Sequence, residues 1–229
     1  SLRLSPRITR RQTALLAFAD LQEIVTFAAR ARAHCSDLLS AFEFMPGAAI
    51  DLAIDHVPGL QAPFADRAAY YVLLEVAASG PVDLEALLMG LQEEALSDGP
   101  VLDGVVATSD RQRQDLWLLR EAMVEAQAAR GWHLRTDFSV PLSRVARLVD
   151  ALQAVVAEHL PGWTPLAYGH MGDGNVHFNV LPPAGIAKAE FFAQSSTARA
   201  RMYEVVRALD GSLSAEHGIG RERLAALHA

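Results

Sequence analysis

Residues 168–180 read Tyr-Gly-His-Met-Gly-Asp-Gly-Asn-Val-His-Phe-Asn-Val. Asp173-Gly174 favours a two-residue type I′ turn, because both central positions of that turn need positive φ. With these residues at the turn centre, Gly172 faces Asn175, Met171 faces Val176 and His170 faces His177. Directly opposed residues of a hairpin hold their Cβ atoms about 4.5–5.5 Å apart. Both imidazoles then leave one face of the sheet. Tyr168 and Asn179 lie on that face too, two residues further along their strands. A hairpin forces antiparallel pairing, while strands and helices alternate along the rest of the chain. The combination reads as α+β: a mostly antiparallel sheet with helices packed on one face, in a ferredoxin-like arrangement.

Working outward, apolar residues at Leu15, Leu16, Ala19, Ile24, Phe27 and Ala28 recur near a 3.6-residue period, which predicts a helix over 13–33. Residues 37–45 read as a strand or a second helix, ended by Pro46-Gly47, and 55–66 read as loop. Ala69 to Val76 is rich in aromatic and branched residues and predicts a strand. A helix over 82–96 follows, capped by Asp83, then a strand over 101–108 and a helix from Ser109 or Asp110 to about Gln127. Residues 135–142 predict a strand, and Ser143 a cap for a helix over 144–158. Beyond the hairpin, 187–209 predict a long helix, 212–220 a loop and Arg221 onward a last helix.

The 229 residues are 51% hydrophobic and 21% charged, as in a globular domain with a core of its own. Twenty basic and 27 acidic residues leave a net charge of −7, which argues against a nucleic-acid partner. The single cysteine, Cys35, excludes an intramolecular disulfide and points to a reducing compartment, hence to the cytoplasm. No apolar run reaches the roughly 18–20 residues that a membrane span needs. Lys188 is the one lysine among the basic residues, which with abundant alanine reads as GC-rich, bacterial coding. The chain opens Ser1-Leu2 without a start methionine, and that pair reads as a cloning remnant on an excised domain.

Two facing histidines make a weak metal site and want a third ligand, preferably a carboxylate. Glu216 is the best candidate, in Ser214-Ala-Glu-His-Gly-Ile-Gly220. Glycines there let backbone approach a ligand closely, and a following helix start favours an anion. His217, its neighbour, suits either a ligand or a base. The plainer alternative for His170 and His177 is a hydrogen-bonded surface pair. Asp173 reads as turn chemistry, and Trp117 and Trp132 as packing.

GHMGDGNVHFNV (169–180) and AEHGIG (215–220), together with LWLLRE (116–121) and DFSVP (137–141), resemble the C-terminal domain of the FAD-linked oxidases. This is the branch of the vanillyl-alcohol-oxidase class that holds D-lactate dehydrogenase, the glycolate oxidase FAD subunit and D-2-hydroxyglutarate dehydrogenase. The resemblance runs from about Thr13 to the end. It implies that residues 1–229 form one substrate, or cap, domain, with the N-terminal FAD-binding domain and a C-terminal tail lying outside. It implies oxidation of a D-2-hydroxy acid to the 2-keto acid, with hydride passing to FAD. By the same resemblance His170, His177 and Glu216 match ligands of a divalent metal such as Zn, Mn or Fe, and His217 matches the base. Arg120, Arg135 and Asn179 match substrate contacts, and Asn175 a neighbour of the flavin. Arg135 departs from the lysine of the hydroxyglutarate branch, which leaves the far end of the substrate open. The implied partners are the substrate, the protein's own flavin domain, a second copy in a homodimer and an unassigned electron acceptor; attachment to the periphery of the inner membrane is compatible with this. Two other readings remain open: a His/His/Glu metal hydrolase, and a non-catalytic module on the same fold.

Overall fold

The computed structural model describes residues 7–220; the expected helix from Arg221 and the Ser1-Leu2 remnant lie outside them. The chain runs β1 (Arg10–Phe18), α1 (Leu21–Cys35), β2 (Leu39–Pro46), α2 (Gly47–His56), β3 (Tyr70–Ala78), α3 (Leu84–Asp98), β4 (Val101–Val106) and α4 (Asp110–Ala129). It continues with β5 (Phe138–Ser139), α5 (Val145–His159), β6 (Thr164–His170), β7 (Asn175–Leu181) and α6 (Lys188–Ala208). One seven-stranded sheet has the order β4-β1-β3-β2-β6-β7-β5, and its pairings are antiparallel.

That order contains a ferredoxin-like unit twice. In β1-α1-β2-β3-α3-β4 the strands lie 4-1-3-2, the split βαβ arrangement. In β5-α5-β6-β7-α6 the strands lie 1-3-2, and Ser212 bridges Ser139 on the free side of β5, where a fourth strand belongs. The two units meet edge to edge through β2 and β6, where Glu43 opposes His170 and Phe44 opposes Gly169.

Alternation of side chains along each strand divides the core. Leu16, Phe18, Phe44, Val72, Leu74, Val176 and Phe178 face α1, α3, α5 and α6. Leu15, Ala17, Met45, Leu73, Leu166 and Tyr168 face the other way, toward α2 and α4. The α+β antiparallel and ferredoxin-like expectations hold. Helices do not keep to one face, however: the four that belong to the two units share one side, while α2 and α4 cover part of the other.

Residues 13–18 are strand, not the start of a helix. They lie in a strand covered on both faces, so alternation vanishes and the apolar run mimics a helical period. The strand expected over 135–142 shrinks to Phe138–Ser139, and a 3₁₀ turn over Leu142–Arg144 replaces the Ser143 cap. Asp83 and Ser109 do cap α3 and α4, accepting from the N–H of Ala86 and Gln112.

The hairpin register differs from the two-residue turn. Tyr168 opposes His177 and Leu166 opposes Asn179, so the connection spans 171–174. Its cause is tertiary: His170 pairs with Glu43, and the N–H of Met171 donates to Phe42 O at 2.9 Å, which draws the end of β6 toward β2. Gly174 closes the connection at φ +70°, and a Cβ there would stand 2.0 Å from Val140 O. A slip of two residues preserves the faces, so His170, His177, Tyr168 and Asn179 still share one side.

Candidate functional site

A cleft of about 590 Å³ opens on the α2/α4 side of the sheet, over β6, β7 and the approach to β5. Among the described residues α5 and α6 pack on the opposite face of these strands. Helix α4 forms one wall with Arg120 and Val124, residues 133–137 another, and the loop holding Glu216 and His217 a third.

His170 is held from behind. Its Nδ1 lies 2.6 Å from Glu43 Oε1, and its Nε2 faces Glu216 Oε1 at 3.5 Å. Arg120 Nε donates to the other oxygen of Glu43 at 3.0 Å, and its guanidinium lies 5.1 Å above the Tyr168 ring. The Glu43 side chain is 6% exposed. Burial alone would raise its carboxyl; the hydrogen bond with His170 and the Arg120 charge outweigh that and hold it below the ordinary value. The same hydrogen bond raises His170 above the ordinary histidine range, against burial.

His177 rests on a second carboxylate. Its Nδ1 lies 3.7 Å from Asp137 Oδ1, a buried oxygen with no hydrogen bond. Asp137 Oδ2 accepts the backbone N–H groups of Ala215, Glu216 and His217 at 3.1, 2.9 and 2.9 Å. One carboxylate thus fixes the whole Ala-Glu-His segment against β5. Burial would raise Asp137, but the amides of His217 and Glu216 keep it below the usual carboxylate range. Burial pushes His177 down.

His170, His177 and Glu216 can each turn one ligand atom to within 4.8 Å of the others, and so can Asp137, His177 and His217. The first set fits a divalent cation by its donor chemistry: two imidazoles, one carboxylate, and a buried acid on the far nitrogen of His170, the partner that metal-bound histidines ordinarily have. The His217 ring lies 6.1 Å from that of His177 and lines the cleft.

The remaining expected residues are placed differently. Arg135 lines the cleft, with its Nε donating to His133 Nε2 at 2.8 Å. Asn179 spends its Nδ2 on Gln127 Oε1 (2.8 Å) and Tyr168 OH (2.9 Å). Asn175 is 1% exposed, has both amide atoms without a hydrogen bond, and is not part of the cleft wall. Sequence reasoning passed over Glu43 and Asp137. A single acid inside Ala41-Phe-Glu-Phe-Met45 was the available signal for the first, and the leading residue of 137–141 for the second. Trp117 does more than pack: its indole N–H donates to buried Glu75 at 2.9 Å.

The family described as FAD linked oxidases, C-terminal domain, matches residues 8–229. A D-2-hydroxyglutarate dehydrogenase of Xanthomonas citri pv. viticola is 37% identical over 220 residues, 96% of this chain and 45% of that protein. The mitochondrial D-2-hydroxyglutarate dehydrogenase of Bos taurus is 35% identical over 225 residues, 96% of this chain and 39% of that one. The chain therefore spans less than half the length of these relatives. Among solved structures, p-cresol methylhydroxylase with substrate bound matches 91% of this chain and 45% of its own, with a TM-score of 0.64 at 8% identity. Alkyldihydroxyacetonephosphate synthase matches 90% of this chain and 41% of its own, at 0.64 and 13%. These two likenesses concern the fold. No helix among the described residues is long and apolar enough to cross a membrane.

Proposed function

The chain belongs to the family of FAD-linked oxidase C-terminal domains, and we propose that it is the substrate domain of a flavoenzyme that oxidises a D-2-hydroxy acid to the 2-keto acid. The observation that carries this reading is the convergence of His170, His177 and Glu216 in a cleft that also holds Arg120, Arg135 and His217. The names and lengths of the relatives support the substrate class and a flavin domain elsewhere in the protein.

FAD on its own domain would supply the hydride acceptor, and His170, His177 and Glu216 would hold a Zn, Mn or Fe ion, which would supply Lewis acidity to the bound substrate. The rest falls to this chain. Arg120 and Arg135 hold substrate carboxylates, a task suited to a planar guanidinium. His217 takes the hydroxyl proton on a ring nitrogen as the C2 hydride leaves, so that one proton and one hydride account for the keto product. Asn179 lines the cleft floor and fixes the phenol of Tyr168, on which Arg120 lies. The open side of β5–β7 and the Glu216 loop are where the flavin domain would dock, with Asn175 beneath the adjoining turn.

Turnover of the flavin-bearing protein on a panel of D- and L-2-hydroxy acids, with a dye as acceptor, tests the reading. Dye reduction confined to D-2-hydroxy acids is expected. FAD-loaded protein that reduces no dye with any member of the panel would end it.

A further inference from the structure

Glu43 belongs to the first ferredoxin-like unit and His170 to the second, and the two form a cross-strand pair at the seam between the units. Arg120 reaches the same carboxylate from α4. Both oxygens are engaged, Oε1 with His170 Nδ1 and Oε2 with Arg120 Nε, and the side chain is almost wholly out of water. A buried carboxylate shared between an imidazole and a guanidinium dictates geometry to both. When the ring is neutral, His170 must carry its one proton on Nδ1, which leaves Nε2 as a lone-pair donor on the Glu216 side. Arg120 must hold its fork at one angle in the cleft wall.

We infer that Glu43 is a positioning residue, which sets the tautomer of His170 and the aim of Arg120 together and so couples the cation-binding triad to the substrate-anion site. This rests on the proposed function for what the triad and the arginine bind, but the juxtaposition itself does not. Burial alone does not make such a residue. Glu75, on the same face, is as well buried but bonds to Arg11, Thr13, Ser40 and Trp117, none of which belongs to the triad.

Glu43→Gln keeps the shape and removes one acceptor. The amide cannot accept from both His170 and Arg120, so one contact turns repulsive. Titration with Zn or Mn against a competing chelator should show affinity falling about 10–100-fold, the usual cost of losing such a partner. Oxalate, as a probe of the anion site, should also bind more weakly. Glu43→Asp, which keeps the charge, should recover part of both. In ¹⁵N spectra without metal, taken at a pH above the His170 titration so that the ring is neutral, His170 should be the Nδ1–H tautomer in the parent protein and shift away from it in Glu43→Gln. Glu75→Gln serves as the control and should leave metal and oxalate binding unchanged. Parent-like metal affinity in Glu43→Gln, or an equal loss in Glu75→Gln, would overturn the inference. If the parent protein binds neither ion, the proposed metal role fails; the tautomer shift then decides for Glu43 by itself, and an unchanged His170 spectrum overturns it. Should Glu43→Gln not fold, Glu43→Asp and the parent spectrum carry the same decision: an Nδ1-unprotonated ring in the parent overturns it.

Discussion

Glu75 and Glu43 lie buried on one face of the same sheet, and helix α4 sends a side chain to each: Trp117 to the first and Arg120, three residues on, to the second. Around Glu75 every partner is a permanent donor: Arg11 at 2.6 Å, Thr13 at 3.2 Å, Ser40 at 3.3 Å and Trp117 at 2.9 Å. None of these can change protonation or tautomer at neutral pH, so the cluster locks structure and transmits nothing. Around Glu43 one partner is an imidazole whose other nitrogen faces a cleft. The halves of the sheet differ in the same sense. β1 and β3 are covered on both faces, whereas among the described residues part of the site side of β6 and β7 is open. Among the described residues, one ferredoxin-like unit is thus covered on both faces and the other is open on one, and the cleft lies in the open unit, against the seam.

The sharpest break of this comparison is expected at His217. In the flavin-bearing protein, His217→Ala should keep most metal binding and lose turnover by about 10²–10⁴-fold, the usual cost of a missing general base. His170→Ala should lose metal and turnover together. Metal content and kcat measured on the same samples decide it. If His217→Ala strips the ion as thoroughly as His170→Ala, the Asp137, His177 and His217 grouping is the ligand set, and the open half is organised around the other carboxylate.

The closed half should show itself next through Cys35, 1% exposed at the end of α1. Burial pushes its thiol from 9.0 up to about 11. Burial favours the neutral form, so this group leaves stability untouched below the unfolded value and weakens folding as pH rises toward the folded one. At pH 8 the thiolate fraction is about 100-fold lower than in the unfolded chain, by the difference in pKa. Alkylation should slow by at least that factor, because the buried thiol must also be uncovered, and recover only with global unfolding in denaturant. Native-state reaction faster than the globally unfolded fraction allows would show that the closed unit opens locally.

How much of this could be read from residues alone follows from the range of the interactions. The shared face of His170 and His177 was legible because strand alternation survives a register slip of two, so the wrong turn still put the histidines on one side. The slip itself was not legible: it comes from β2, whose Glu43 is 127 residues from His170 in the chain. Glu43 stood out as an acid among apolar residues, but nothing local names its partner. Residues 13–18 misled for a related reason, because cover on both faces erases the period that marks a strand. Caps are local chemistry: Asp83 is where the sequence puts it, and Ser109 is one of the two candidates, Ser109 or Asp110, that the sequence offers. The recurrence of one strand order in the two units was not legible either, because strand order is set by pairing between residues far apart in the chain.

Glu75→Ala probes what the closed cluster contributes. It leaves the Trp117 indole N–H and the Thr13 hydroxyl without their acceptor, at about 1 kcal/mol or more each. Arg11 is 46% exposed and turns to water, so its share is small. The sum is about 2 kcal/mol, roughly a 30-fold shift in the folded-to-unfolded ratio, read from denaturant midpoints at constant m. Affinity for Zn or Mn should stay at the parent value. A fall in metal affinity beyond twofold would mean that the two carboxylates act as one network through α4, and the contrast between them would be lost.

The smallest expected effect belongs to Asp137, the open half's own anchor. Asp137→Asn keeps an oxygen for the amides of Ala215, Glu216 and His217 but removes the charge that strengthens those bonds. Losing about 1.4 kcal/mol of local stabilisation corresponds to tenfold faster hydrogen exchange at these three amides. Exchange of Leu73 and Leu74 in β3 should not change, because nothing in the closed unit touches this carboxylate. The substitution has a second, directional consequence. It places an NH₂ group where Asp137 Oδ1 faces His177 Nδ1 at 3.7 Å. The ring then prefers Nδ1 as acceptor and Nε2 as N–H, which withdraws the lone pair that a cation would use. Faster exchange confined to 215–217 together with weaker Zn or Mn binding is therefore expected. Faster exchange with unchanged metal affinity would show that Asp137 only ties down the loop, and that Glu43 alone orients the histidine pair.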